Sequence, residues 1–335
     1  MKQLTLVEEK HRSILMRHWD KSHEALPHIM NFSGGRSSGM LTLELARNRE
    51  LKAERGDAVL FANTSAEHPA TYEFANQVCD EIETAYGIPC FWFEFTTVEE
   101  HKRRKWRRYP TYKLVNRHAK ATEDDDPAFP GYRDDGSVFE HMISYKYRMP
   151  DRRARLCTQH MKVDTSMRLL LDWFQGSELT VVRGHTHTYT QAEPPDEYRR
   201  YCWTQPHHRP QQRWTDFSPA ATPPDCKPVD LWGKHGKPTR LVKILGLRVD
   251  EPKRVARMEK RNMMAIGAGS GVCQDKQQAP GEHIYSPLAT SYVTKEIVNN
   301  FWREKDYDLR DDGTRSNCVY CFMKGTDNLL SLIHI

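Results

Sequence analysis

The 335-residue chain lacks any apolar run near the ~18 residues that a membrane-crossing helix needs, and its first residues hold no hydrophobic signal core. Those absences argue against a helical membrane protein and make the cytoplasm the expected location. Cysteine is sparse, eight residues with none of the density of a secreted disulfide scaffold. In the cytosol such thiols are expected as ligands, catalysts or buried apolar groups. A strong charge of one sign is also missing, because 50 lysines and arginines face 45 acidic residues for a net +5. Overall charge therefore argues only weakly for a polyanionic partner. No internal repeat is visible. At 38% hydrophobic and 28% charged residues the composition is polar but globular, and the length suffices for one large or two modest domains.

What is present begins with Ser33-Gly34-Gly35-Arg36-Ser37-Ser38-Gly39-Met40. The apolar segment Leu26–Phe32 before it reads as a buried strand, and Leu41–Arg47 after it is built of good helix formers. Strand, glycine-rich turn and helix start are the parts of a phosphate cradle. Glycines let the backbone approach an anion, and the free N–H groups and dipole of a helix N-terminus favour negative charge. Ser33, Ser37 and Ser38 add hydroxyls and Arg36 a cation. The spacing fits neither the Walker pattern nor Gly-x-Gly-x-x-Gly. An ordinary helix-capping turn is the bland alternative.

A second strand-like run, Asp57–Asn63, precedes Thr64-Ser65-Ala66-Glu67-His68-Pro69-Ala70-Thr71, with a helical pattern from Tyr72 onward. Pro69 suits the first turn of a helix. Later come Arg155-Leu156-Cys157-Thr158-Gln159-His160-Met161-Lys162, then Leu245-Gly246-Leu247-Arg248-Val249-Asp250-Glu251-Pro252-Lys253-Arg254, and Ser286-Pro287-Leu288-Ala289. The first motif resembles the Ser-Gly-Gly-x-[Asp/Ser]-Ser pyrophosphatase loop, or PP-loop, of the adenine nucleotide alpha hydrolase superfamily. The others resemble elements of its phosphoadenosine phosphosulfate (PAPS) reductase-like family. The resemblance touches most of residues 28–325, with an unmatched region at about 185–238. Ser65 stands where the family usually has glycine.

The resemblance implies an α/β fold of Rossmann-like, HUP type: a parallel sheet with helices on both faces, plus a C-terminal cysteine-containing subdomain. It implies ATP, or PAPS, held with Mg2+ by Ser33, Gly34, Gly35, Arg36, Ser37, Ser38, Asn63, Thr64, Glu67, Lys162, Arg248 and Arg254. Ser33, Arg36 and Arg248 are the expected catalytic residues. Strand-like runs near 28–32, 57–63, 89–95, 179–183 and 241–247 alternate with helical stretches, which independently argues for a parallel sheet. Ligands of such sheets sit beyond the carboxyl ends of the strands, so Ser33, Thr64 and Arg248 should converge. The expected organisation is an N-terminal helix at 1–25, a nucleotide domain at 26–255 and a helical Cys-x-x-Cys region at 256–335. The proline-rich 185–238 reads as an irregular insertion, a lid or partner-binding loop.

Cys79 and Cys90 lie at apolar periodic positions and are expected in the core. Cys318-Val319-Tyr320-Cys321 sits in a polar turn and suits one metal ion or cluster; Cys157 and Cys273 are the best further ligands. Four such cysteines resemble the iron–sulfur site of DNA phosphorothioation enzymes, and three would resemble tRNA thiolases. A 4Fe-4S cluster is thus slightly favoured over Zn2+, and a thiol pair without metal stays open. The chain departs from assimilatory reductases in having no cysteine after Cys321 and no adjacent Cys-Cys pair. Sulfate reduction is therefore disfavoured.

The acceptor is read from local charge. His101-Lys102-Arg103-Arg104-Lys105-Trp106-Arg107-Arg108-Tyr109 packs cations between aromatics, as a nucleic-acid contact would, and Arg152-Arg153-Ala154-Arg155 adds a second cluster. A solvated helical face is the plainer explanation of such a run. The expected function is adenylation of a target by cleavage of ATP between its alpha and beta phosphates, for sulfur transfer to tRNA or DNA with a sulfur donor protein. A PAPS-using reductase or sulfotransferase is the alternative enzyme. A non-catalytic nucleotide-binding protein with a structural zinc knuckle is the alternative of another class. His185, His187, His207 and His208 are expected as solvated histidines rather than a metal site.

Overall fold

Apolar strands separated by amphipathic helices build the frame of the molecule. A computed structural model of the chain describes residues 14–102, 105–151, 153–175, 188–190, 212–222, 241–267, 282–309, 318 and 321. Its main sheet has seven strands in the order β7-β4-β3-β2-β1-β8-β9. These are β1 (His28–Phe32), β2 (Ala58–Asn63), β3 (Cys90–Lys102), β4 (Lys105–Leu114), β7 (Thr188–Thr190), β8 (Leu241–Ile244) and β9 (Glu282–Tyr285). From β3 to β9 every neighbouring pair is parallel, whereas β4 runs antiparallel to both β3 and β7. A small second sheet pairs β5 (Asn116–Lys120) with β6 (Gly131–Tyr132).

The period-2 alternation of the central strands sends side chains to two separate cores. Met30, Phe32, Val59, Phe61, Trp92, Val242 and Ile244 meet α1 (Arg36–Arg47), α2 (Pro69–Tyr86) and α8 (Lys295–Arg303) on one face. Ile29, Leu60, Phe91, Phe93, Tyr112 and Leu114 meet α4 (Thr165–Gln175) and the short α5 (Trp214–Phe217) on the other. Such strands, buried on both sides, are predominantly apolar, which is why they stood out in the sequence. Leu41 and Leu45 of α1 are fully buried, and each stabilises the fold by about 1.5–3 kcal/mol. Helix α6 (Pro252–Gly267) links β8 to β9, its Met258 packs with Ile284, and the short α7 (Pro287–Thr290) follows β9. No described helix is long and apolar enough to cross a membrane.

Several expectations need correction. Residues 14–20 are not helical, and Lys21–Ala25 forms one 3-10 turn capped by Asp20, because His18, Trp19 and His23 lie against His28, His283 and Tyr285; residues 1–13 lie outside the described residues. The charged run at 101–109 belongs to a hairpin rather than a helical face, with Lys102 opposite Lys105. Within 185–238, Trp214 and Phe217 are core residues rather than loop, while most of that stretch, His185, His187, His207 and His208 included, lies outside the described residues, as does 179–183. Residues 282–309 do not stand apart, since β9 completes the sheet and α8 covers α1.

Candidate functional site

Strand order reverses between β1 and β8, so the connections leaving their carboxyl ends diverge and open a crevice. The Ser33–Ser38 loop enters it from β1. Gly34 has φ +73, and a Cβ there would lie 2.6 Å from the Thr71 methyl and 2.9 Å from the Phe61 ring. Only glycine fits that position. Gly35 caps α1 without any side-chain hydrogen bond, and the first turn of α1 carries no acidic residue. The leading N–H groups of α1 and its positive dipole end thus stay directed at the crevice. Ser38 is buried; its hydroxyl accepts from the Ser33 N–H (3.2 Å), donates to the Gly35 carbonyl (2.9 Å) and lies 2.9 Å from the Ser33 hydroxyl. Ser33 itself is exposed at the mouth.

The opposite wall comes from β8. Gly246 is pressed against the loop, where a Cβ would sit 2.9 Å from the Ser38 Cα. Ser286 donates to the Leu245 and Leu247 carbonyls (3.1 and 2.7 Å) and fixes that exit. Arg248 then donates from one guanidinium nitrogen to the Ser37 hydroxyl at 2.9 Å and from Nε to Asp250 at 2.8 Å. Of the expected trio, Ser33, through Ser38, and Arg248, through Ser37, thus border the same loop, whereas Thr64 hydrogen-bonds Glu67 beyond the end of β2. Arg254 is exposed on α6 and paired with Glu251. Arg36 does not face the crevice: its guanidinium donates to Asn299 (2.9 Å) and pairs with Asp308 (2.8 Å), while its carbonyl accepts from the Trp302 indole (2.9 Å).

The carboxyl end of β2 forms the neighbouring wall. Ser65 adopts φ +56, the left-handed backbone in which a glycine is most at ease. It is held there by its N–H donating to Asn63 Oδ1 (2.8 Å) and its hydroxyl accepting from the Val138 N–H (2.9 Å). Asn63 is fully buried and also donates to Glu94 and to the Arg133 carbonyl, so it acts as a structural brace. Thr64 donates to Glu67 Oε1 at 2.9 Å, and Lys162 lies 3.9 Å from the same oxygen. The side chain of Glu67 is 1% exposed, and its second oxygen has no hydrogen-bond partner.

Cys318 forms an isolated backbone bridge with Glu67 and packs, with Cys157, against the cluster of Ala66, Phe95, Met142 and Met161. The Cys321 N–H reaches the Cys318 carbonyl at 3.4 Å, which bends the Cys-x-x-Cys segment back on itself. Among the described residues no three His, Cys, Asp or Glu side chains converge as metal ligands, and Cys273 lies outside them. The described thiols therefore do not make up a complete site for zinc or a cluster. Cys79 and Cys90 are buried in the core, as expected, and burial pushes the Cys90 thiol well up.

Of the basic run, Lys102, Lys105, Trp106 and Arg107 lie on the β3–β4 hairpin, and Arg103 and Arg104 fall outside the described residues. Arg108 corrects the expectation of a nucleic-acid contact. It is 1% exposed and pairs with Glu99, its cross-strand neighbour, at 2.6 Å. A buried ionic group beside the site escaped the sequence reading altogether. Glu94 lies opposite Lys113 on the two strands, with Nζ to Oε2 at 3.3 Å, and Arg133 lies 3.7 Å from the same oxygen. Burial and the Arg133 charge push Lys113 down to about 8. His141, buried against Thr97 at 2.9 Å, is held well below its ordinary range by burial and by Arg108. The available signal was Glu94 itself, a carboxylate inside the apolar run Cys90–Phe95.

Compared with known proteins, the chain matches no protein-family model, no curated protein and no solved structure.

Proposed function

We propose that the crevice between β1 and β8 binds an adenine nucleotide and cleaves ATP between its alpha and beta phosphates to adenylate an acceptor. One observation carries this reading. The uncapped start of α1, the close-packed Gly246 and the Arg248–Ser37 bond bring N–H donors, hydroxyls and a cation together at the carboxyl ends of β1 and β8, a donor set that suits a phosphate. The parallel order β3-β2-β1-β8-β9 supports a Rossmann-like, HUP-type arrangement of that domain. In the reaction an acceptor hydroxyl oxygen attacks the alpha phosphorus and gives its proton to water, the bond to the bridging oxygen breaks, and pyrophosphate leaves. A Mg2+ bound with the nucleotide would supply charge neutralisation on the phosphates. The N–H groups of the loop and Arg248 meet the charge that develops on the phosphate oxygens. Of the two further cations, Lys162 lies 3.9 Å from Glu67 and Arg254 is engaged with Glu251 on the surface.

Sulfur transfer to a nucleic acid is the proposed use of the adenylated acceptor. The reading of another class, a nucleotide-binding protein without turnover, is favoured by Arg36, whose guanidinium is committed to Asp308 and Asn299.

A pyrophosphate-release assay with ATP, run beside calorimetric titration of ATP and PAPS, tests the proposal. Release that is abolished in Ser33→Ala and Arg248→Ala is the expected result. Binding without release selects the binding protein, PAPS binding without ATP binding selects the PAPS-using enzyme, and binding of neither nucleotide removes the reading.

A further inference from the structure

We propose that the segment from Lys146 to Arg155 is a docking platform for single-stranded nucleic acid, with Tyr147 as its stacking ring and Arg148 and Arg153 as its phosphate contacts. The choice of partner rests on the reading of nucleic acid as acceptor; the platform itself rests on the following geometry. Helix α3 (Ser137–Lys146) buries Val138, Phe139, Met142 and Tyr145 and ends at Tyr147, which takes the left-handed backbone at φ +50. A residue with a Cβ in that conformation costs on the order of 1 kcal/mol relative to glycine. The tyrosine gains little by packing, since it is 67% exposed, as is Met149 two residues on. Strain and exposure at one aromatic residue point to a use outside the fold.

The chemistry around the ring selects the partner. The described residues of 146–155 hold four cations, Lys146, Arg148, Arg153 and Arg155, against the single carboxylate of Asp151; Arg152 lies outside the described residues. That carboxylate organises the loop: it accepts from the N–H groups of Arg153 (2.7 Å) and Ala154 (2.6 Å) and from the Arg148 side chain (2.7 Å). The Asp151 N–H in turn donates to the Ala154 carbonyl at 3.0 Å. The platform is thus built before any partner arrives, which lowers the ordering cost of binding. An exposed ring flanked in the sequence by cations suits base stacking plus phosphate contact, whereas a protein interface would call for a contiguous apolar patch. The segment leads directly into the π-helical turn Cys157–Asp164, whose Lys162 lies 3.9 Å from Glu67 at the carboxyl end of β2. A strand held on the platform therefore lies along the chain from the proposed crevice.

Fluorescence anisotropy of the full chain with labelled single-stranded DNA and RNA of about 12 nucleotides, and with the matching duplex, tests this. Single strands should bind more tightly than the duplex. Tyr147→Ala should weaken them by about 5- to 100-fold, as expected for the loss of one stacking ring. Tyr147→Phe should retain binding, and Arg153→Gln should lower the slope of log affinity against log salt by about 0.7. The side chains are exposed, so melting temperatures of all three variants should match the parent. Equal affinity of Tyr147→Ala and parent overturns the platform, as does equal loss in Tyr147→Phe. A dimer that Tyr147→Ala dissociates without changing oligonucleotide affinity overturns it as well. Ser33→Ala separates the two proposals: it should abolish pyrophosphate release and leave oligonucleotide affinity unchanged. Should Tyr147→Ala fail to weaken binding while Ser33→Ala still abolishes release, the platform falls and the nucleotide reading stands.

Discussion

Gly246 carries more of the crevice than its size suggests. A methyl group there would meet the Ser38 Cα at 2.9 Å and the Ser38 N at 3.1 Å. The obstacle is backbone, so no rotamer change relieves it, and the loop or the β8 exit has to move. Gly246→Ala is accordingly expected to cost about 1–3 kcal/mol in a urea titration. It should weaken ATP binding by at least about tenfold by calorimetry, because phosphate contacts made by backbone N–H groups tolerate little displacement. Unchanged affinity would mean that the β8 exit is not part of the nucleotide site. At this scale the loop was legible, since Gly34 and Gly35 are local and their demands are local. The fate of Arg36 was not. Its partners Asn299 and Asp308 come from the far end of the chain, Asn299 263 positions away, and nothing in Ser33–Met40 announces them.

The β3–β4 hairpin shows how an element can hide within a charge run. Alternation places Arg108, Pro110, Tyr112 and Leu114 opposite Glu99, Thr97, Phe95 and Phe93 on one face of the sheet. Read linearly, the cations of 101–108 mask that period of two. Strand β9 was missed for a related reason, because Glu282-His283-Ile284-Tyr285 has a mixed edge-strand composition. Strands β1 to β3 were readable because the doubly covered centre of a sheet leaves little room for polar residues. The register predicts a coupling: Arg108→Met leaves Glu99 buried and uncompensated, and should cost about 3–5 kcal/mol. Adding Glu99→Met should recover a large part of that loss, and additive losses in the double-mutant cycle would refute the pairing. The first residue of β1 gives a pH signature. Burial, with help from Arg55, holds His28 down to about 3 from 6.5, and its ring lies 2.7 Å from that of His18. The unfolded chain takes up this proton near pH 6.5 and the folded chain does not, so unfolding binds protons between about 3 and 6.5. Stability from this group is complete above pH 6.5 and falls by about 1.4 kcal/mol per pH unit below it. His28→Gln should flatten that slope in urea titrations at pH 7 and pH 5; an identical slope in the variant would assign the acid sensitivity elsewhere.

At the scale of the molecule, the site is a seam between strands that are neighbours in the sheet and strangers in the sequence. Arg248 and Ser37 are 211 positions apart, yet their side chains touch across it. A nucleotide in the crevice should tie the two sides together. Hydrogen exchange with bound ATP is expected to slow at Ser33–Ser38 and at Gly246–Arg248 in concert, and saturation at 100-fold over the dissociation constant should add about 2.7 kcal/mol of stability. Protection of the first segment alone would place the ligand on α1 and not in the seam. The same seam sets an order of events during synthesis. A ribosome delivers β1, the loop and α1 early, but the wall that completes the opening emerges only after β8 has been made. Until then the sheet ends at β1, with an edge whose parallel partner is still unmade, and long-range parallel pairing is among the slower steps of folding. A nascent chain halted before Gly246 would own the whole glycine loop and still lack the wall opposite it, so uptake of the proposed nucleotide would follow the late closing of this fold.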